Sequence, residues 1–233
     1  MKKVVVLQSN YIPWKGYFEL IHEADTFCFY DEVQYTKNDW RNRNQLWNKQ
    51  GKFWLTIPIQ KEAVKQKISE VNLPEINWQK KHFRTIEQTY SHAPQKNSVL
   101  ELLYPFYHDN NFETLSAYNQ AMISEIARYI GIRTELVNSA QYELNGDRIS
   151  RLLHLLKQLD TKVYLSGPSA KKYLQNETEA FEQENIELIY KKYGPYLSYG
   201  AATESKDDFI SIIDLLMHVK AEDCLEYICS FDH

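Results

Sequence analysis

At 233 residues with a net charge of −4, the chain has no global basic field to favour nucleic acid. Its 43% hydrophobic and 25% charged residues are ordinary for a globular domain, and no apolar run approaches the ~18–20 residues of a membrane span. The aromatic fraction is high at 14%, carried by 17 Tyr, 10 Phe and 5 Trp, a composition compatible with a carbohydrate or nucleotide site.

In chain order, Val4-Val5-Val6-Leu7 is a short β-branched run suited to a strand buried on both faces, expected over Val4–Gln8. The run stops at Gln8 and Ser9, too early for a signal peptide. Pro13 suits the first turn of a helix, and Trp14, Tyr17, Phe18 and Ile21 recur at helical spacing. A second strand spans Thr26–Tyr30. Strand, turn, helix and strand in about thirty residues make a βαβ unit with a right-handed crossover. The turn at Gln8–Tyr11 and the loop after Tyr30 then open at the same edge of the sheet.

Residues 31–47 turn abruptly polar, with Asp31, Glu32, Gln34, Lys37, Asp39, Arg41, Asn42, Arg43, Asn44 and Gln45 set among Tyr35, Trp40 and Trp47. Planar donors beside aromatic rings suit a phosphate, carboxylate or sugar. The alternative is a solvated surface face. A hairpin tip follows, with Gly51 at a left-handed position and Phe53–Ile59 as return strand; Pro58 argues for a sheet edge. Alternation over Lys67–Leu73 suggests one more strand.

Residues 77–131 carry three helical stripes and read as a helical insertion or layer in a single α/β domain. Strand patterning resumes at Thr134–Asn138. Asp147 can cap a leucine-rich helix over residues 149–159. A strand over Lys162–Leu165 runs into Ser166-Gly167-Pro168-Ser169, and a short helix over Ala170–Leu174 follows. Ser166 and Gly167 offer either an anion site at a helix N-terminus or an ordinary turn. Ile186–Tyr190 is a further strand, and two C-terminal helices span Phe209–Met217 and Asp223–Cys229. The whole reads as a mainly parallel α/β sheet, Rossmann-like and possibly nucleotidylyl-transferase-like.

Standard signatures are missing: there is no G-x-G-x-x-G, Walker loop, G-x-S-x-G or H-E-x-x-H. The residues name no cofactor. Cys28, Cys224 and Cys229 show no zinc-type spacing, so no metal is expected, and their odd number suits a reducing cytoplasm. His22, His82 and His154 read as structural or exposed. Asp214 follows its helix stripe and reads as a structural hydrogen bond at least as readily as a catalytic group.

The motifs Leu7–Phe18 (LQSNYIPWKGYF), Asp31–Asn44 (DEVQYTKNDWRNRN), Trp54–Ile59 (WLTIPI), Tyr164–Leu174 (YLSGPSAKKYL) and Ser211–Leu216 (SIIDLL) together resemble the WbqC-like family over most of the chain. The resemblance implies a bacterial protein of O-antigen and other surface-polysaccharide gene clusters, with a glycine or related acyl transferase role on a sugar. Leu7-Gln8-Ser9 departs from the His-Gln-Pro or Met-Gln-Pro common in members, and Ser198 stands where a glutamine is usual.

The expected activity is transfer of an acyl or aminoacyl group to a nucleotide-linked amino-sugar. Asp31 and Gln8 are the catalytic candidates, with Asp31 as base. Lys37, Arg41 and Arg43 would hold a diphosphate or carboxylate. Asn10, Tyr11, Gln34, Asn42 and Asn44 would surround the sugar, Trp14 and Trp40 would stack on a ring, and Ser166 and Gly167 would form a second anion site. Gln8, Asn10, Tyr11, Asp31, Gln34, Arg41 and Arg43 are expected to line one pocket. Rival readings are an ATP-using nucleotidylyl transferase or ligase-like enzyme and a non-catalytic carbohydrate-binding protein.

Overall fold

The computed structural model describes residues 1–109, 112–199 and 209–231. Five strands form one parallel sheet: β1 (Lys3–Leu7), β2 (Thr26–Phe29), β5 (Glu135–Asn138), β6 (Val163–Ser166) and β7 (Glu187–Tyr190), in the order β5-β2-β1-β6-β7. The valine run lies in the middle strand and is buried on both sides, which is why it alternates with nothing polar. A separate antiparallel hairpin joins β3 (Arg43–Asn48) to β4 (Gly51–Thr56). Gly51 at φ 109° turns the hairpin where a side chain would be strained.

The side chains of the sheet sort by pleat onto two cores. Val5, Phe27, Phe29 and Leu165 pack with α1 (Lys15–Glu23) and α4 (Leu115–Tyr129). Val4, Val6, Cys28 and Tyr164 pack on the other face with α5 (Arg148–Gln158), α6 (Lys171–Leu174) and α7 (Thr178–Gln183). This is a doubly wound, Rossmann-like sheet. From β1 the chain moves outward to β2 and β5, then returns to place β6 and β7 on the other side. The order reverses between β1 and β6, where such sheets place ligands, outside the carboxyl ends of the strands.

Between the hairpin and β5 come α2 (Trp78–Thr89), α3 (Lys96–His108) and α4, all contributing to the first core through Trp78, Ile86, Leu103, Tyr107, Tyr118 and Met122. The C-terminal helices are α8 (Ile212–His218) and α9 (Cys224–Ile228).

Two sequence expectations change. The return strand ends at Thr56, so Pro58 lies beyond the hairpin ladder. The strand expected over Lys67–Leu73 is a 3₁₀ turn at Ile68–Glu70. Its buried residues, Ile68 and Val71, are three apart, which suits a 3₁₀ turn rather than a strand. The Glu70 carboxylate accepts from the Lys67 amide at 3.0 Å and fixes that turn.

Candidate ligand edge of the parallel sheet

Pleat alternation decides which side chains meet at the carboxyl edge. Val4 and Val6 face the α5 side, so Gln8 continues onto that face. Cys28 faces it too, and so does Tyr30; on β6 and β7 the same face carries Tyr164, Ser166, Leu188 and Tyr190. The ladder sets Ser166 beside Tyr190. The Tyr30 amide donates to the Leu7 carbonyl at 2.9 Å and brings Tyr30 level with Gln8. Tyr30 and Gln8 stand level, and the register of β1 with β6 sets Ser166 and Tyr190 beside Val6, one pleat repeat behind them, so the four form a stepped polar row at the switch point.

Arg148 and Arg151 lie near Tyr30, whereas Arg41 lies near Tyr17 of α1 and accepts at its carbonyl from Asn119 of α4. Arg41, 11% exposed, donates to Gln8 Oε1 at 3.1 Å and to Asn10 Oδ1, with Asp39 at 3.6 Å as its counter-ion. Arg151 donates to the Glu32 carbonyl at 3.0 Å, and the Arg148 guanidinium lies 3.7 Å over the Tyr173 ring. Burial pushes the Tyr30 phenol up, against the pull of Arg151 and Arg148. Burial also raises Tyr164, against a hydrogen bond from Ser166, and raises Tyr190, with Tyr173 adding to it. Three polar atoms here, Arg41 Nε, Arg151 Nε and the Tyr190 hydroxyl, are shut off from solvent without a hydrogen-bond partner. Gly167 begins the turn that follows Ser166, leading into the 3₁₀ segment Pro168–Ala170.

The remaining expected residues do not converge on this row. Asp31, one residue beyond Tyr30, points to the opposite face and is 1% exposed. Its Oδ1 accepts from the Ser9 amide at 2.8 Å, and its Oδ2 from Ser116 Oγ at 2.5 Å and Gln120 Nε2 at 2.8 Å. The carboxylate ties the ends of β1 and β2 to α4, the geometry of a clamp. Ser116 and Gln120 also line a cleft of about 460 Å³ with Phe29, Asn138 and Gln141.

Tyr11 is fully buried, with its hydroxyl on His82 and Tyr107 and its ring against Trp78 and Tyr118. Asn44 is buried and donates to the carbonyls of Tyr11 and Ile12 at 3.2 and 2.9 Å. The second bond matters because Ile12 has φ 37°, a strained value for a β-branched residue. Ser211 Oγ secures the same carbonyl at 2.8 Å. Asn42 donates to the Ile57 carbonyl at 2.7 Å, and Gln34 to that of Val64 at 2.7 Å.

Lys37, Asn42 and Arg43 line a separate cleft of about 200 Å³ with Tyr35, Pro58 and Lys61. Arg43 lies 4.2 Å over the Trp54 ring, and Trp40 packs against Trp54 at 5.5 Å. Trp14 packs against Tyr193 and Phe209, each at 4.8 Å. Its indole also covers Gly16 so closely that a Cβ there would sit 2.3 Å from the ring, so glycine is required. Tyr30, Arg148, Arg151, Tyr173 and Tyr190 were not among the expected site residues; carrying the alternation of β1 and β2 one residue past their ends brings Tyr30 to this edge.

The five-stranded parallel sheet with helices on both faces defines the class, a Rossmann-like α/β protein. The chain belongs to the WbqC-like protein family, whose model matches residues 8–225. It is 40% identical over 230 residues to the uncharacterized protein Rv1507c of Mycobacterium tuberculosis, covering 97% of this chain and 99% of that one. No solved structure matches significantly. Among the described residues no helix is long and apolar enough to cross a membrane, and no group of three metal-ligating side chains occurs.

Proposed function

We propose that the protein transfers an acyl or aminoacyl group to the amine of a nucleotide-linked amino-sugar, in the cytoplasm, as a step in surface-polysaccharide biosynthesis. The observation that supports this reading is the Gln8–Arg41–Asn10 array at the carboxyl end of β1, where strand order reverses. Gln8 and Asn10 present amide groups that can orient sugar hydroxyls, and Arg41 holds both amide oxygens in place. An attacking amine forms the new C–N bond as the bond from carbonyl to leaving group breaks, and its proton departs with that group. Hydrogen-bond donors on the row are suited to the oxyanion that forms between. Asp31 contributes by fixing the Ser9 backbone rather than by removing the proton, because both its oxygens are occupied.

One observation favours a second reading. A short first strand leading into a helix at its polar end also suits an ATP-using nucleotidylyl transferase, although the first turn has no histidine. A thermal-shift screen separates the readings, since a ligand at a hundred times its Kd stabilises by about 2.7 kcal/mol. A nucleotide amino-sugar that raises Tm, and gains the acyl mass when a donor is added, supports the proposal. Stabilisation by ATP alone supports the second reading. Stabilisation by free glycan alone points to a binding protein.

A further inference from the structure

We infer that Arg148 and Arg151, with Tyr173, form the binding site for the diphosphate of a nucleotide ligand at this edge. The inference rests on the sheet edge being a ligand site, but not on acyl transfer being its chemistry.

Arg148 and Arg151 lie one turn apart on α5, so both project from one face with Cβ atoms ~5–6 Å apart. That face looks toward Tyr30: Arg151 reaches the Glu32 carbonyl three residues past the end of β2, and Arg148 reaches the Tyr173 ring on α6, beyond β6. The pair therefore bridges the switch point from the α5 side. Among the described residues neither arginine makes an ion pair. The Glu32 carboxylate forms its ion pair with Lys67 at 2.9 Å, with the charge of Arg151 acting on it from further away. Asp147 accepts from the amides of Ile149 and Ser150. Two guanidiniums without an ion pair, one with its Nε buried and orphaned, match an anion with several acceptor oxygens. The Tyr190 hydroxyl, also orphaned, lies beside Ser166 across the ladder.

The N-terminus of α1, where a doubly wound sheet would ordinarily cradle phosphate, is covered here. Lys15 and Gly16 are buried, and Trp14 packs over the turn with Tyr193 and Phe209. The anion site is thereby displaced to the other face of the sheet, and a diphosphate fits it better than a monophosphate because the two guanidiniums are a helical turn apart.

Titration calorimetry with inorganic pyrophosphate, UDP and UMP tests this on the wild type, Arg148→Gln and Arg151→Gln. Pyrophosphate and UDP should bind more tightly than UMP and weaken as salt is raised. Each substitution should lose roughly tenfold or more, the scale of a charge-assisted hydrogen bond. Arg148 is exposed, so Arg148→Gln should keep the wild-type Tm even if Arg151→Gln does not. Absence of pyrophosphate and UDP binding, or binding unchanged in Arg148→Gln, overturns the inference. Binding lost in the variants without acyl transfer by the wild type leaves the diphosphate site standing and removes the proposed activity. Acyl transfer with variant affinities unchanged does the reverse.

Discussion

The Tyr11 hydroxyl lies 2.8 Å from Nδ1 of His82, and both residues are buried in the aromatic cluster that roofs the turn between β1 and α1. Burial pulls the His82 pKa from 6.5 down to about 4, against a contact with the Thr56 backbone. The folded protein therefore binds this proton less readily than the unfolded chain. The stability it contributes is fully present above pH 6.5 and is lost as pH falls toward about 4. At ~1.4 kcal/mol per unit, the loss is about 3 kcal/mol. Tm followed from about pH 7.5 to about 4 should fall more steeply in the wild type than in His82→Gln. Parallel curves would show that His82 does not titrate with folding.

Asp31→Asn distinguishes a clamp from a base. The variant presents an amide donor to groups that themselves donate, Ser9 N–H, Ser116 Oγ and Gln120 Nε2. A loss of about 1–3 kcal/mol is expected, with Tm falling roughly 2–4 °C for each kcal/mol. Unchanged Tm with abolished transfer would instead make Asp31 the base.

Lys191 and Glu19 form an ion pair at 2.8 Å with side chains 8% and 1% exposed. Glu19 also accepts from Tyr196 and Ser230, so it ties α1 to the segment after β7. Lys191→Met leaves a buried carboxylate without its cation, which costs about 3–5 kcal/mol. Lys191→Met combined with Glu19→Gln should recover much of that loss in chemical denaturation. A double variant no more stable than the single one would show that the charges are not coupled.

Arg43 packs its guanidinium plane on Trp54 and donates to the Asn38 carbonyl. Arg43→Lys keeps the charge but loses the flat stacking surface, so stability should fall by about 0.5–1 kcal/mol. Affinity for a nucleotide-sugar at the sheet edge should not change. A weaker affinity at constant Tm would return Arg43 to the ligand.

The strands and their order of burial were legible where chemistry is local. The valine run of β1, the aromatic Thr26–Phe29 and the Asp147 cap of α5 each read correctly, because pattern and burial agree there. The site was legible only in part. Gln8 and Asn10 follow β1 at the carboxyl edge of the sheet, and Arg41 bonds to both. Asp31 was grouped with them because it opens the polar loop, yet one residue of pleat sends Tyr30 to one face and Asp31 to the other. Arg148 and Arg151 could not be read from their own stretch. They reach the site only because the chain returns to the far side of β1, a long-range choice that no local periodicity encodes.

That return has a consequence for how the molecule is made. In the register of the sheet, Lys3 pairs with Val163. On the ribosome, β1 can take β2 as a neighbour early, but its other edge stays unpaired until β6 has been translated. At ~5–20 residues per second, the interval between residues 8 and 163 is roughly 8–30 s. For that time the nascent chain carries a bare, valine-rich strand edge of the kind that templates aggregation. Production of this protein should therefore respond to the pace of translation and to chaperone supply more than its finished, fully paired centre would suggest.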